Sequence, residues 1–172
     1  LASVRSLIES DPSTAATTIE LLVDYLRATI PRLRESELDS TLGQQLEICE
    51  SYLRLMCVRM GRLGYRIEVG QELRARSFPS LLLITLVENA LKHGIEPKVG
   101  PGMVVVSAAL EEGRLRVHVI DDGVGLRDSC GSGIGLNNVR EQLHARYGEH
   151  AKFTLSGAAR GGACATIEIA DR

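Results

Sequence analysis

Tryptophan is absent from this 172-residue sequence, and four Tyr and two Phe bring aromatic residues to only 3%. That is too few rings to stack a run of bases or to line an aromatic cage. Charge of one sign is lacking as well: 20 Lys and Arg against 22 Asp and Glu leave a formal net charge of -2, with a pI near 6.1. No broad basic field is available for a polyanion, so no nucleic-acid partner is expected and any anionic ligand must be held by a local arrangement of groups. Long hydrophobic runs are missing too. The longest, Leu81 to Val87, is interrupted by Thr85 and falls far short of the roughly 20 residues that a membrane-spanning helix needs. Cysteine is sparse: Cys49, Cys57, Cys130 and Cys164 form no Cys-x-x-Cys pair and have no His at ligand spacing, so they read as reduced, cytosolic thiols. The opening at Leu1, with no basic-then-apolar leader, suggests a piece of a longer protein. What is present, 44% hydrophobic and 24% charged residues, matches ordinary globular usage and supplies a real core in one or two compact domains.

Apolar spacing organises the front of the chain. Ile19, Leu22, Val23, Leu26, Ile30 and Leu33 draw one stripe along a helix from Ala16 to Leu33, after a turn at Asp11-Pro12-Ser13. A second stripe, Leu42, Leu46, Cys49, Leu53, Met56 and Met60, predicts a helix from Leu38 to Met60 that ends at Gly61 and Gly64. Two such helices suggest a hairpin that packs on itself, on a partner chain or on the following domain. Beyond a strand-like stretch from Tyr65 to Val69, a third helix is expected to begin at Ser77-Phe78-Pro79 and to end at Gly94. Met103 to Leu110 and Arg114 to Ile120 read as a β-hairpin turning at Glu111-Glu112-Gly113. A glycine-rich loop, a helix from Leu136 to Tyr147, and strands Ala151 to Ser156 and Ala163 to Ile169 complete the pattern. Helices over a mostly antiparallel sheet, an α+β fold, are expected.

Three segments carry the polar groups that chemistry needs. In the third helix Asn89 and His93 lie one turn apart, with Glu88 and Lys92 on the adjacent face, so an amide, a carboxylate and a cation meet at one end, a set suited to a metal and phosphates. The plainer alternative is a helix whose polar residues cap a neighbour or face water. Asp121 continues the inward parity of Leu115, Val117 and Val119 and therefore requires a donor, such as an adenine amino group, or else caps its own Asp-Gly turn. Gly131-Ser132-Gly133-Ile134-Gly135-Leu136-Asn137-Asn138 runs straight into a helix, where backbone amides can approach phosphate oxygens. This run fits neither the dinucleotide fingerprint, nor a P-loop, nor a nucleophile elbow.

In this order, LVENALKHGIEP, DDGVGL and GSGIGLNNVREQL resemble the nucleotide-binding boxes of the histidine kinase, gyrase, Hsp90 and MutL ATPase superfamily. The spacing of the boxes and Arg146-Tyr147-Gly148 resemble the LytS-type sensor histidine kinases, and Tyr52-Leu53 with Arg59 resembles the helical region before the ATPase domain in that branch. The resemblance implies a two-layer α/β sandwich of the Bergerat type behind a long helical hairpin, with residues 1–62 as a dimerisation and phosphotransfer-type region and 63–172 as the ATP-binding domain. It implies ATP and Mg²⁺ as cofactors. Asn89 would hold the metal, Asp121 would accept from the adenine, and Gly123 and Gly125 would shape the base pocket. Gly131, Gly133, Ile134, Gly135, Leu136 and Asn138 would belong to the phosphate-binding lid. Lys92 or His93 would lie near the phosphates and Glu88 would orient or deprotonate the reacting group. The implied reaction moves the γ-phosphate to a His and on to a response regulator, in a homodimer whose cytoplasmic part is tethered to the inner membrane by upstream segments.

Departures from that pattern are also legible. The acceptor His is expected a few residues before Leu1, which would leave this chain unable to phosphorylate itself; His93, His118, His144 and His150 all lie outside the front helices. Ala163 and Asn137 stand where relatives often carry Thr and Lys, which suggests weak nucleotide affinity. Two other readings follow: a serine kinase acting on an anti-sigma partner, which the long front helices disfavour, and a degenerate, non-catalytic dimerisation or docking module.

Overall fold

The computed structural model describes residues 11–34, 40–126, 134–159 and 161–170. Helix α1, Pro12–Arg34, begins four residues before the expected start, because Asp11 accepts from both the amide (3.1 Å) and the hydroxyl (2.6 Å) of Thr14 and Pro12 occupies the first helical position. Helix α2, Leu42–Met60, is shorter than the sequence reading. Thr41 and Gln44 form a capping box that starts it at Leu42, a Thr-x-x-Gln signal already present in the sequence. Gly61, at φ 65°, ends it with its amide on the Cys57 carbonyl. Strand β1 is Leu63–Glu68, and a one-turn helix α3, Gln71–Arg74, follows where no element was expected.

The third long helix departs most from expectation. Ser77 forms a bridge to Thr41, Phe78 is fully buried, and α4 covers only Leu82–Asn89. Leu81, in the left-handed region at φ 61°, precedes it, and its amide is taken by the buried Gln45 Oε1 at 2.7 Å while Gln45 Nε2 donates to Ser40. The anchored Leu81, rather than Pro79, sets the helix start. Gly94 does not end the helical path either: the backbone widens into a π turn over Ala90–Ile95, with Gly94 inside it.

Strands β2, Gly102–Glu111, and β3, Arg114–Asp121, form the expected hairpin, with positive φ at Glu112 and Gly113. Helix α5, Ile134–Tyr147, and strands β4, Ala151–Gly157, and β5, Ala163–Ala170, complete one sheet of order β1-β2-β3-β5-β4. β1 runs parallel to β2 and the other pairs are antiparallel. Val104, Val106, Val117, Val119, Ile167 and Ile169 turn one face of this sheet onto the helical layer, so the molecule is a two-layer α/β sandwich with a helical hairpin in front. Leu46, Cys49, Leu53 and Met56 of α2 share that same core with Leu83, Val87 and Leu143. Helix α1 packs on α2, with the Tyr25 and Tyr52 rings 5.4 Å apart, but Ile19, Val23, Leu26 and Ile30 of its apolar stripe stay 38–45% exposed. Among the described residues no helix is long and apolar enough to cross a membrane.

Candidate functional site

Asp121 lies at the end of β3, where strand alternation turns it into the helical layer at 4% exposure. Its Oδ1 accepts from the Gly123 amide at 2.8 Å, so it caps its own turn as well as facing inward. Burial pushes its pKa up, against the amides of Gly123 and Ala163, which favour the charged form. Three glycine backbones close around it: a Cβ at Gly94 would overlap the Asp121 carboxylate, one at Gly123 would overlap the Gly94 carbonyl, and one at Gly162 would overlap the Asp121 carbonyl. The neighbouring carboxylate behaves differently. Burial raises the Asp122 pKa, but the Met103 amide at 2.8 Å and Lys98 Nζ at 3.0 Å outweigh it and hold the carboxyl below its ordinary value.

A cleft opens beside Asp121. Its walls are apolar, with Leu86 and Ala90 from α4 and the π turn, Val119 from β3, and Leu155, Ala163 and Ala165 from β4 and β5. Gly125, at φ 80°, and Leu126 form one rim. Leu136, in the first turn of α5, forms another and is buried. Asn89 and His93, from the same helical stretch as Leu86 and Ala90, also line the cleft. Asn89 Nδ2 donates to the Thr85 carbonyl at 2.8 Å, which orients its amide and leaves the side-chain oxygen as the group available to a ligand. A Cβ on Gly135 would sit 3.5 Å from Asn89 Nδ2, so the start of α5 faces Asn89. The result is an apolar slot with a carboxylate at its base and an amide and a helix start at its mouth, an arrangement able to take a flat heterocycle with an anionic tail.

The other sequence candidates spread out. Glu88 and Lys92 do not line the cleft; both are solvent-accessible, as is His93 at the cleft edge. Glu88 faces the hairpin instead. Desolvation raises its own pKa, and its charge adds to burial in raising those of Tyr25, Cys49 and Tyr52, the last pushed up to about 12. Gly131, Gly133 and Cys130 lie outside the described residues, as does the Ile134 side chain; Asn137 and Asn138 are exposed on α5. His118 faces away from Asp121 and bonds Thr166 at 2.9 Å, while His144 and His150 are at the surface. The apolar walls escaped the sequence reading. Their signal was the alternation of Ala163, Ala165, Ile167 and Ile169, whose small members leave space where their larger ones fill the core.

Comparison with known proteins fits this geometry. A family described as histidine kinase matches residues 1–63, and the family of histidine kinase-, DNA gyrase B-, and HSP90-like ATPases matches residues 75–172. The chain is 31% identical over 152 residues to the sensor histidine kinase BtsS of Escherichia coli K12, covering 87% of this chain and 26% of that protein. It is 32% identical over 160 residues to the sensor histidine kinase YpdA of the same strain, covering 87% and 28%. The chain thus spans little more than a quarter of these relatives. Among solved structures, the histidine kinase domain of Erythrobacter litoralis EL346 superposes with a TM-score of 0.61 at 22% identity, covering 98% of this chain and 82% of that one. The catalytic domain of histidine kinase ThkA superposes at 0.62 with 16% identity, covering 79% and 98%. These two likenesses speak to the fold. With more than half of its residues matched, this chain belongs to the histidine kinase-, DNA gyrase B-, and HSP90-like ATPase family, and a histidine-kinase helical segment precedes its ATPase sandwich.

Proposed function

We propose that this chain is the ATP-binding catalytic region of a LytS-type two-component sensor kinase, which transfers the γ-phosphate of ATP to a His and on to a response regulator. The buried Asp121, closed in by Gly94, Gly123 and Gly162 at the base of an apolar cleft, carries the reading. A buried carboxylate calls for a donor from the ligand, and an adenine amino group meets it with the edge of a flat apolar ring. The alanines of β5 and Leu86 sandwich that ring.

Asn89 would ligate Mg²⁺ through its oriented oxygen. Among the described residues no group of three His, Cys, Asp or Glu could hold a metal unaided, so the remaining ligands would come from phosphate and water. When bound, Mg²⁺ neutralises phosphate charge, and phosphoryl transfer then depends mainly on positioning and electrostatics. The amides at the start of α5 approach the phosphates, with Gly131 to Asn138 as the lid, and His93 stands at the cleft edge. Glu88, turned toward the hairpin, is placed to orient an acceptor His presented by a helix there, and its raised pKa suits exchange of a proton. None of the four histidines of this chain lies on α1 or α2, so the acceptor is a further residue of the kinase. Residues 1–62 would act as the dimerisation and phosphotransfer-type region and 63–172 as the ATP-binding domain. The catalytic partner is a response regulator, as in the solved complex of ThkA with TrrA. The kinase would be a homodimer with its catalytic part in the cytoplasm and its upstream segments in the inner membrane.

Calorimetric titration with a non-hydrolysable ATP analogue and Mg²⁺ tests the reading without an acceptor. Binding by the parent chain, weakened at least about tenfold in Asn89→Ala and in Asp121→Asn, is the expected outcome, corresponding to loss of one charge-assisted contact in each. A parent chain that binds nothing at millimolar analogue would favour the docking module, for which the exposed α1 stripe and Ala163 speak.

A further inference from the structure

We propose that Arg62 is a positioning residue for the cleft, tying the end of α2 to the turn that links Asn89 with the Asp121 pocket; the proposal rests on the nucleotide reading above only for its effect on binding. Arg62 stands one residue beyond Gly61, the left-handed cap of α2, so its backbone moves with that helix. Its Nη1 donates to the Gly100 carbonyl at 2.6 Å, and its Nη2 donates to the carbonyls of Ile95 at 3.0 Å and Glu96 at 3.2 Å. The Arg62 carbonyl in turn accepts from the Gly102 amide at 3.0 Å. Ile95 ends the π turn and Glu96 caps it; the Ile95 carbonyl also takes the Lys98 amide at 3.1 Å, and a cation complements the negative end of the turn. One planar fork bonds these two carbonyls together with that of Gly100 in the loop before β2, which the single ammonium of a Lys cannot reproduce.

What the clamp holds is the adjacent residue. The Gly94 carbonyl accepts from the Val124 amide at 3.1 Å, and its Cα packs directly against the Asp121 carboxylate and Gly123. Arg62 therefore fixes the turn that seats Asp121, although it touches neither the cleft nor its carboxylate. A shift of α2 relative to the sheet is delivered through this side chain to Gly94, which couples the hairpin to the pocket.

Amide hydrogen exchange of the whole chain, parent against Arg62→Met and Arg62→Lys, tests the coupling without any ligand. The expected result is exchange at least about tenfold faster at Glu96 and Val124 in Arg62→Met, with Val117 and Ile167 in the β3–β5 ladder unchanged, because only local opening is made easier. Arg62→Lys, which retains the charge without the fork, should show the same local pattern to a smaller degree. Acceleration spread evenly over the ladder, or unchanged rates at Glu96 and Val124, would overturn the proposal. Titration with ADP then reads the consequence, an affinity lowered about tenfold in Arg62→Met and partly restored in Arg62→Lys. A parent chain that binds no ADP refutes the nucleotide reading, whereas the exchange pattern decides the clamp by itself.

Discussion

Asp121 carries a cost that its neighbours only partly offset. Burial raises its folded pKa above the ordinary carboxylate value, so the stability it contributes is fully present below that value and is lost as pH rises through the folded pKa. As pH rises from the ordinary carboxylate range through the raised folded pKa, the nucleotide-free protein should therefore lose unfolding free energy on account of this group. Asp121→Asn, nearly the same shape without the charge, should flatten that part of the profile while it weakens nucleotide binding at least about tenfold. Urea unfolding across the interval measures it, and equal slopes in parent and variant would assign the pH dependence to another group. The inward direction of Asp121 was legible from period-two alternation. So was its Gly123 donor, as the cap of its own Asp-Gly turn; the Ala163 donor was not, since it lies 42 residues away in sequence and only the pairing of β3 with β5 brings it near.

At the scale of elements, α4 and its π turn decide the site. Gly94 lies inside this turn because the turn passes too close to Asp121 for any side chain. Gly94→Ala should cost about 1–3 kcal/mol of stability by overpacking and weaken binding of the ATP analogue at least about tenfold, as read by chemical denaturation and calorimetry. Thr41→Ala provides the contrast. Removing the capping box of α2 should cost about 1 kcal/mol and leave nucleotide affinity within about twofold, since neither Thr41 nor Gln44 lines the cleft. A large loss of affinity in that variant would mean that the start of α2 also sets the pocket. The Gly94 boundary was misread for a physical reason: a glycine after an apolar helix usually marks its end, and only the tertiary contact with Asp121 reveals close approach as its use here. The start of α4 was hidden in the same way, because its anchor, Gln45, belongs to another helix.

For the whole molecule, the open stripe of α1 stands out: among the described residues it holds four of the eight large hydrophobic side chains left exposed. Ile19, Val23, Leu26 and Ile30 follow three- and four-residue steps and are all more than a third exposed, as expected of a helix that packs against a second copy in a dimer. Sedimentation equilibrium should find the parent dimeric, and Val23→Glu with Leu26→Glu should yield a monomer whose unfolding free energy falls by little more than about 0.5 kcal/mol per surface site once dissociation is allowed for. A parent that remains monomeric at high concentration would remove dimerisation through α1. By itself the sequence determined the two helices of the hairpin, the sheet strands, the inward turn of Asp121 and the three boxes, because each depends on local periodicity or on glycine spacing along the chain. Only the tertiary structure decided that α2 joins the sandwich core, that Glu88 turns to the hairpin while Asn89 lines the cleft, that small residues of β5 line the cleft, and that Arg62 grips the π turn. Those outcomes depend on contacts between segments far apart in sequence, which no local pattern encodes.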